Sequence, residues 1–465
     1  MIDRSKNLLK VSLFAIALSI FGSMTTARAA QENVPTSTLA PAQSREIGST
    51  ASGQEENELG TPEAATAQSS TGSQSSGTSG LASRVKDFSR NGPRRESRTI
   101  INLGTKYFNA VFGGLGGFGF GIQATTADVF RFVEFRATAL ISTRLYRRFE
   151  GEAYFPEVFH KNTHADVWFD YTRRTKENLY GIGPRIPNTS QTNFDLEERS
   201  YNAALYHDFS RNLQVGGYLS VSNSATYRGK RDRDIPIDQL FSGDPATVPI
   251  ANWAPGLFVN TRILSYGCFA EYDGRNNSRG LTKGTYFYGR IGSAEGLKNQ
   301  NTFSDYGWLE AELDGRGYVP LGSDKTSLAL RGYASLKNPK GGSQIPFYEL
   351  SFLGGRMHVR GFRHFRFRGN NAALGSAELR QTVWTQSEVR GLDVFAFGDA
   401  GHVWGDNRSQ TDPTILANQE FDSRNWRASV GGGLQYRYSK NFAGRIEIGH
   451  SNERNLIYVS ISRGF

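Results

Sequence analysis

The chain has 465 residues and combines 52 glycines, 31 phenylalanines and 20 tyrosines with three methionines and a single cysteine. Excess glycine and aromatic residues favour strands and tight turns over the helices of a soluble α/β enzyme. One cysteine excludes an intrachain disulfide framework and a multi-cysteine metal cluster. The formal net charge is +10, but no basic module with interleaved aromatic residues is present, so nucleic-acid binding is not predicted.

Residues 1–29 have the organisation of a secretory signal peptide. Lys6 and Lys10 precede an uninterrupted apolar stretch at 11–24, and small residues follow at 27–29. A positively charged N-terminal region, a short apolar region and a cleavage site with small residues together predict cleavage by a signal peptidase. The stretch is shorter than the roughly 20 apolar residues of a membrane-spanning helix, and no longer one follows it. We therefore expect an exported protein, which would have to enter a membrane as a closed barrel.

Residues 30–99 are predicted to form a disordered, low-complexity tether. Ser, Thr and Gly occupy 23 of the 50 positions from 31 to 80. Such a segment cannot bury enough apolar surface to offset the entropy of ordering it. Six lysines and arginines cluster at 81–98, where they either contact anionic lipid head groups or form a solvated linker end.

Residues 100–465 alternate between apolar and polar side chains. The even positions of 426–438 are mostly apolar with aromatic ends, whereas the odd positions are mostly polar. The same alternation recurs at 213–221, 309–316 and 326–336. An apolar band with aromatic ends on one face and a polar opposite face is typical of outer-membrane barrels. We count about fifteen such segments and, because bacterial barrels have an even number, predict a single 16-stranded antiparallel transmembrane β-barrel with one further strand near 99–108.

The end of the chain supports this fold class. Ile457 and Val459 alternate with Tyr458 and Ser460, and the chain stops at Phe465. An alternating last strand with a terminal aromatic residue is the signal by which outer-membrane barrels are delivered and closed. We assign Tyr458 and Phe465 to this barrel-closing C-terminal signal.

An unusually long connection precedes the strand that begins near Gly375. Two motifs lie in it, Phe352-Leu353-Gly354-Gly355 and Val359-Arg360-Gly361-Phe362. Connections of this length are generally either functional or disordered. A disordered loop would be rich in Ser and Pro, whereas this connection contains aromatic residues and glycines, which favours a functional loop. Glu378 and Asp399 follow on the next two strands, and the alternation of their neighbours points both carboxylates into the lumen.

These motifs resemble the BamA/TamA-type outer-membrane barrel superfamily, which includes bacterial surface antigens, assembly factors and two-partner secretion translocators. The resemblance is close over 350–465 and looser over 100–350, where Tyr180-Gly181-Ile182-Gly183-Pro184 matches an early stretch of these barrels. It implies that the long loop folds back into the lumen and that Arg360 pairs with Glu378 and Asp399. The expected lumen-loop residues are Gly354, Gly355, Val359, Arg360, Gly361 and Phe362. In the alternative interpretation, Arg360 belongs to an arginine-rich surface loop that holds lipopolysaccharide phosphates.

The resemblance implies a role in the insertion or passage of polypeptides or lipids at the outer membrane. Assembly and secretion members carry periplasmic POTRA modules before the barrel, but 31–99 has neither the length nor the apolar content for one. The chain is therefore identified as a barrel-only member. Its expected partners are outer-membrane lipid, including lipopolysaccharide, and unfolded outer-membrane or secreted polypeptides. A passive pore for small solutes and a structural surface protein are the alternatives.

Other apparent motifs do not predict an enzyme, a cofactor or a metal site. Glycines at 114, 116 and 119 have dinucleotide-fingerprint spacing but no strand–helix context. His160 and His164 have metal-like spacing, but we interpret both as loop histidines. The sequence pairs neither His207 nor His450 with a serine, so no nucleophile is predicted.

Overall fold

The computed structural model describes residues 101–461 except for several short gaps, namely 105–107, 114–118, 127–131, 230–233, 277–281, 298–304, 388, 409–410 and 439–442. The predicted signal peptide, the tether and Phe465 lie outside the described residues. Side chains are described from Gly119 onward.

Sixteen successive strands, each antiparallel to the next, form one sheet within the described part of the chain. A four-residue strand, β1 (Ile101–Gly104), pairs with the first of them. It lies at the position expected for the sixteenth strand, 99–108, but is additional to the sixteen. The sixteen strands are β2 (Phe108–Gly113), β3 (Gly119–Thr125), β4 (Glu134–Ser142), β5 (Arg147–Phe155), β6 (Thr163–Leu179), β7 (Thr192–Asp208), β8 (Leu213–Arg228), β10 (Thr261–Asp273), β11 (Gly284–Gly296), β12 (Gly307–Leu321), β13 (Ser323–Pro339), β16 (Asn371–Thr385), β17 (Gly391–Trp404), β18 (Arg427–Arg437), β19 (Ala443–Ser451) and β20 (Asn455–Ile461).

The remaining elements are short and lie in the connections. They are β9 (Ile235–Pro236), parallel to β7; the hairpin of β14 (Ser351–Leu353) and β15 (Phe367–Gly369); the helices α1 (Ile237–Leu240) and α2 (Pro413–Gln419); and 3-10 turns at Asn188–Ser190, Ile250–Asn252 and Ser423–Asn425. Over the described ranges, we find no helix long and apolar enough to span a membrane.

The two faces of the sheet differ as the alternation predicts. In β12, Leu309 and Leu313 are about half exposed on the outer face, whereas Glu310, Glu312 and Asp314 are buried on the inner face. An apolar outer face is stable only against hydrocarbon, and buried carboxylates require ionic partners inside. The antiparallel strands and this division of faces confirm the predicted fold class.

The connection between β13 and β16, residues 340–370, lies inside the curve of the sheet and is called the inner loop below. The ring of Phe347 lies 4.9 Å from that of Phe194 in β7, and the carbonyl of Phe362 accepts a hydrogen bond from the Tyr458 hydroxyl in β20. Because strands from distant parts of the sheet reach the same loop, the sheet wraps around it.

The long connections 180–191, 229–260, 340–370 and 405–426 lie together at one end of the barrel, called the loop end. The opposite end, called the turn end, has mostly shorter connections. In outer-membrane barrels the longer loops are extracellular and the short turns periplasmic. If the chain is such a barrel, we expect the loop end to be the extracellular end.

The described parts of these connections pack into an apolar cluster at the loop end, called the cap. Its buried members include Ile182, Ile237, Phe241, Leu257 and Phe347. Each comes from a connection or a strand end, so their burial ties connections distant in sequence to one another. The cap thus joins the described parts of several connections at the loop end.

A buried ion pair holds the cap together. Arg408 Nη2 lies 2.8 Å from Asp406 Oδ2, and Arg408 Nη1 donates to the carbonyls of Ala251 at 2.6 Å and Trp253 at 3.0 Å. Charge-assisted hydrogen bonds of this kind are about twice as strong as neutral ones. Arg408 thus joins the connection after β17 to the connection after β8.

The interpretation of His164 as a loop residue is wrong. His164 lies in β6, where its Nδ1 is 3.1 Å from the Tyr154 hydroxyl and its Nε2 is 3.0 Å from Asp208 Oδ2. His164 thus contacts residues of both neighbouring strands, β5 and β7. The strand β6 begins one residue earlier, at Thr163, and His160 lies in the turn that precedes β6.

Candidate functional site: the tip of the inner loop

The inner loop is narrowed at its base by the hairpin of β14 and β15. Beyond the hairpin, Gly354 and Gly355 adopt φ values of +105° and +89°. A Cβ at Gly354 would lie 2.2 Å from the carbonyl oxygen of Arg363, so the position admits only glycine. The Gly355 N–H donates to the carbonyl of Phe362 at 2.9 Å, which closes the loop tip into a compact turn.

Apolar residues anchor the tip to the barrel wall. Val359 and Phe362 are fully buried in a cluster with Phe367 of β15, Leu374 of β16 and Val403 of β17. Their burial places Arg360, which follows Val359 directly, against the same wall.

Arg360 is 2% exposed and binds three carboxylates. Its Nε and Nη2 donate to the two oxygens of Asp399 at 2.8 and 2.7 Å, a bidentate contact, and its backbone N–H donates to Asp399 at 3.0 Å. Its Nη1 donates to Glu378 at 3.0 Å and to Glu447 at 3.1 Å. Burial alone would lower the pKa of Arg360, but the hydrogen bonds to Asp399 and the two glutamate charges raise it above its usual range. Arg360 is therefore a permanent cation.

Glu447 was not predicted from the sequence, although the alternation of β19 contained the signal for it. Ile446 and Ile448 in β19 are about half exposed on the outer face, which places Glu447 and Arg445 on the inner face. Arg445 Nη2 donates to Glu378 at 2.6 Å and to Glu447 at 2.8 Å.

Arg380 completes the cluster, with its Nε 2.7 Å from Glu378. Three guanidinium groups and three carboxylates therefore form one buried, charge-balanced set. We call it the tip network, and its members are Arg360, Arg380, Arg445, Glu378, Asp399 and Glu447. A buried carboxylate without such partners would be strongly destabilising.

Gly361 connects the tip to the last two strands. Its φ is +89°, and a Cβ there would lie 3.0 Å from the carbonyl carbon of His450 in β19. Its N–H donates to the Tyr458 hydroxyl at 3.1 Å, and its carbonyl accepts from Ser451 Oγ at 2.8 Å. The tip thus contacts β16, β17, β19 and β20. The assignment of Tyr458 and Phe465 to a barrel-closing signal remains a prediction.

Gly361→Ala is expected to destabilise the docked loop by about 1–3 kcal/mol, because alanine at this φ is strained and meets the backbone of β19. The measurement is the free energy of unfolding from a urea titration in micelles. Gly332→Ala in β13 is the matched control, since a Cβ there meets nothing within 4 Å. Equal stability of the two variants would contradict a close contact between the tip and β19.

Tyr458→Phe is expected to cost about 1–2 kcal/mol of loop docking. The ring remains, but the Gly361 N–H loses its acceptor and the Phe362 carbonyl loses a donor. Limited proteolysis within the inner loop, followed by mass spectrometry, measures the exposure of the tip. Cleavage at the wild-type rate would show that these hydrogen bonds contribute nothing to docking.

In the alternative interpretation, Arg356, Arg363, Arg366 and Arg368 surround Arg360 in an arginine-rich surface loop. For Arg366 and Arg368 this interpretation is wrong. Arg366 is buried and donates from Nε to Glu453 at 2.8 Å, and its guanidinium carbon lies 4.7 Å from the centre of the Tyr180 ring. Arg368 is buried and donates to the Phe347 carbonyl at 3.2 Å. Burial lowers the pKa of Arg368 to about 9, so it is still charged at neutral pH.

The early stretch at 180–184 meets the inner loop. Its Gly183 N–H donates to the carbonyl of Arg368 at 2.7 Å. The two sequence regions that carried the resemblance are therefore adjacent in the folded chain.

A family model, the Omp85 superfamily domain, matches residues 134–448. The chain belongs to the Omp85 superfamily. This confirms the resemblance to BamA/TamA-type barrels, and members of the superfamily are barrels of the bacterial outer membrane.

Two solved structures show the same fold as this Omp85 chain. BamA from Haemophilus ducreyi lacking POTRA domains 1–3 is similar over 82% of this chain and 77% of its own, with 15% identity and a TM-score of 0.56. CdiB from Escherichia coli is similar over 82% of this chain and 71% of its own, with 13% identity and a TM-score of 0.50. At these identities the likeness concerns the barrel fold.

Proposed function

We propose that this Omp85 barrel aids the insertion or passage of polypeptides or lipids at the outer membrane. The observation that carries the proposal is the tip network, which ties a loop inside the lumen to the strands near the end of the chain. The network is structural, because its arginines and carboxylates are all engaged in ion pairs and none is positioned as a nucleophile.

The mechanism depends on β20, the last strand of the sheet. One side of β20 pairs with β19. In a closed barrel its other side would meet the first strands of the sheet at a seam. A weak seam that opens laterally would expose strand edges, and an exposed edge pairs readily with an incoming strand. Because Gly361 and Phe362 contact Tyr458 in β20, the docked tip would set the position of this seam strand.

The cap supports handling of substrates at the seam over passive conduction. A pore for small solutes needs a continuous water path, and we infer that the apolar side chains of the cap and the Asp406–Arg408 pair would obstruct it at the loop end. Substrates would therefore enter from the turn end or from the membrane.

The proposed partners are outer-membrane lipid, including lipopolysaccharide, and unfolded outer-membrane or secreted polypeptides. The outward apolar band, with Leu309, Leu313, Val430 and Leu434 exposed, is the lipid-contacting surface. Export through the cleaved signal peptide at 1–29 would deliver the chain to this membrane, with 30–99 as a tether.

The test is the folding rate of a urea-denatured model barrel added to liposomes that contain the mature protein. We expect faster folding than in liposomes that contain an equal amount of an unrelated folded barrel. An unchanged folding rate, with the protein correctly inserted, would contradict an assembly role. A solute conductance of the wild-type protein under the same conditions would then favour the pore.

A further inference from the structure

β2, the first of the sixteen strands, is paired along both of its edges. One edge pairs with β3 over all six residues of β2. The other edge pairs with β1, in a register that places residues 101–104 opposite residues 109–112. A strand has two edges, each a row of N–H and C=O groups. While β1 is in place, residues 109–112 of β2 therefore have no edge left for a third strand.

β1 occupies the place that the last strand would take in a closed barrel. Successive strands alternate in direction, so the sixteenth, β20, is antiparallel to β2. β1 is also antiparallel to β2 and therefore runs in the same direction as β20. An antiparallel barrel with an even number of strands closes by pairing its last strand with its first. β1 and β20 thus compete for the same edge of β2.

A barrel that kept β1 between β2 and β20 would depart from this architecture. It would have one strand more than sixteen, an odd number, whereas bacterial outer-membrane barrels have an even number. Its closing pair, β1 with β20, would be parallel, and parallel pairing is slightly less stable per residue than antiparallel pairing. Both points favour a β1 that leaves its edge when the barrel closes.

β1 is the shorter of the two competitors but the one held closer to the edge. It pairs at four positions, whereas β20 has seven residues and can pair along all six residues of β2. Longer pairing provides more backbone hydrogen bonds. Only the three residues 105–107 separate β1 from β2 in sequence. Such a short connection gives a high effective concentration, so β1 returns readily whenever the edge is free.

We propose that β1 is an exchangeable edge strand, which covers the outer edge of β2 and leaves it when another strand of the same direction pairs there. While paired, β1 satisfies N–H and C=O groups that would otherwise attract the strands of other chains. Its release allows β20 to close the barrel. The same release would expose the edge to an incoming strand, and this last step rests on the proposed function.

The test is photo-cross-linking of the full-length protein in liposomes, with p-benzoylphenylalanine in place of Val111 in β2. Mass spectrometry identifies the segments that become joined to this position. We expect cross-links to β3, to β1 and, from molecules in which β1 has left, to β20. The cross-links to β3 are the internal reference, because β3 occupies the other edge of β2 in either state.

A double proline substitution in β1, Asn102→Pro with Leu103→Pro, should favour β20. We expect the ratio of β20 to β1 cross-links to rise about fivefold, the effect of one lost backbone hydrogen bond. Successive residues direct their N–H groups alternately toward and away from the neighbouring strand, so one of the two prolines removes a donor of the ladder. Ser69→Pro with Ser70→Pro, the same change in the predicted tether, is the control and should leave the ratio unchanged.

A disulfide provides the opposite change. Leu103→Cys with Ala110→Cys, in a Cys268→Ala background, joins two residues that face each other across β1 and β2. Oxidation should abolish the cross-links to β20, and reduction should restore them. Leu103→Cys with Ile122→Cys is the control, because Ile122 pairs with Ala110 from the far side of β2. The two positions are separated by two strand spacings, about 9.6 Å, which a disulfide does not bridge.

Three results would overturn the proposal. Position 111 would form no cross-links to β1, or the proline pair would leave the ratio of β20 to β1 cross-links as it is in the wild type. The third is a level of β20 cross-links that stays the same when the Leu103→Cys, Ala110→Cys protein is oxidised. None of these measurements involves a substrate, so a negative folding-rate assay would leave this proposal intact, and the two proposals fail independently.

Discussion

Replacement of Arg360 by alanine is expected to release the inner loop and to destabilise the barrel by about 3–5 kcal/mol, the cost of leaving buried charges without their partner. Asp399 loses its bidentate contact, and Glu378 and Glu447 each lose one guanidinium. The free energy of unfolding in a urea titration measures the loss of stability. Proteolysis within residues 340–370 measures the release of the loop.

Two further variants make this result specific. Arg360→Ala combined with Asp399→Asn should recover part of the loss, because the double variant buries one carboxylate fewer. Arg424→Ala, whose side chain is 83% exposed, removes a surface ion pair with Asp422 and should behave as the wild type. An Arg360→Ala protein with wild-type stability and a protected loop would contradict the role of the tip network.

The second large effect concerns the cap. Arg408→Ala is expected to open the loop end and to raise the single-channel conductance in planar bilayers. Asp406 would remain buried without its guanidinium, and the carbonyls of Ala251 and Trp253 would lose a donor. The loss of this buried pair costs about 3–5 kcal/mol, enough to populate an open cap.

Arg228→Ala is the matched control for the cap. Arg228 also lies at the loop end, but it forms an exposed ion pair with Asp238 and should leave the conductance unchanged. If the Arg408→Ala barrel inserts normally and conducts as the wild type does, the loop end is not held closed by this residue.

The sequence predicted the faces of the strands well, because a period of two has a single physical cause. Each strand presents alternate side chains to hydrocarbon and to the lumen, so the neighbours of Glu378 and Asp399 decide where these carboxylates point. The same rule applied to Ile446 and Ile448 would have identified Glu447. The resemblance supplied the pairing with Arg360, which spacing alone left open.

The cap was beyond sequence reasoning. Arg408 and the carbonyls that it binds are separated by more than 150 residues, and no local periodicity records such a contact. The start of β6 could not be predicted for a related reason. His164 lies in β6 because its side chain binds residues of β5 and β7, a tertiary effect that overrides the local pattern.

The most direct test of the central claim is whether loop docking and assembly activity change together. The folding rate of a denatured model barrel would be measured in liposomes with the wild type, Tyr458→Phe, Gly361→Ala and Arg360→Ala, alongside loop proteolysis of the same samples. We expect the acceleration to fall as the loop becomes more accessible, and Arg360→Ala to abolish it. Full acceleration by an Arg360→Ala barrel with a released loop would contradict the claim that the docked tip governs the seam.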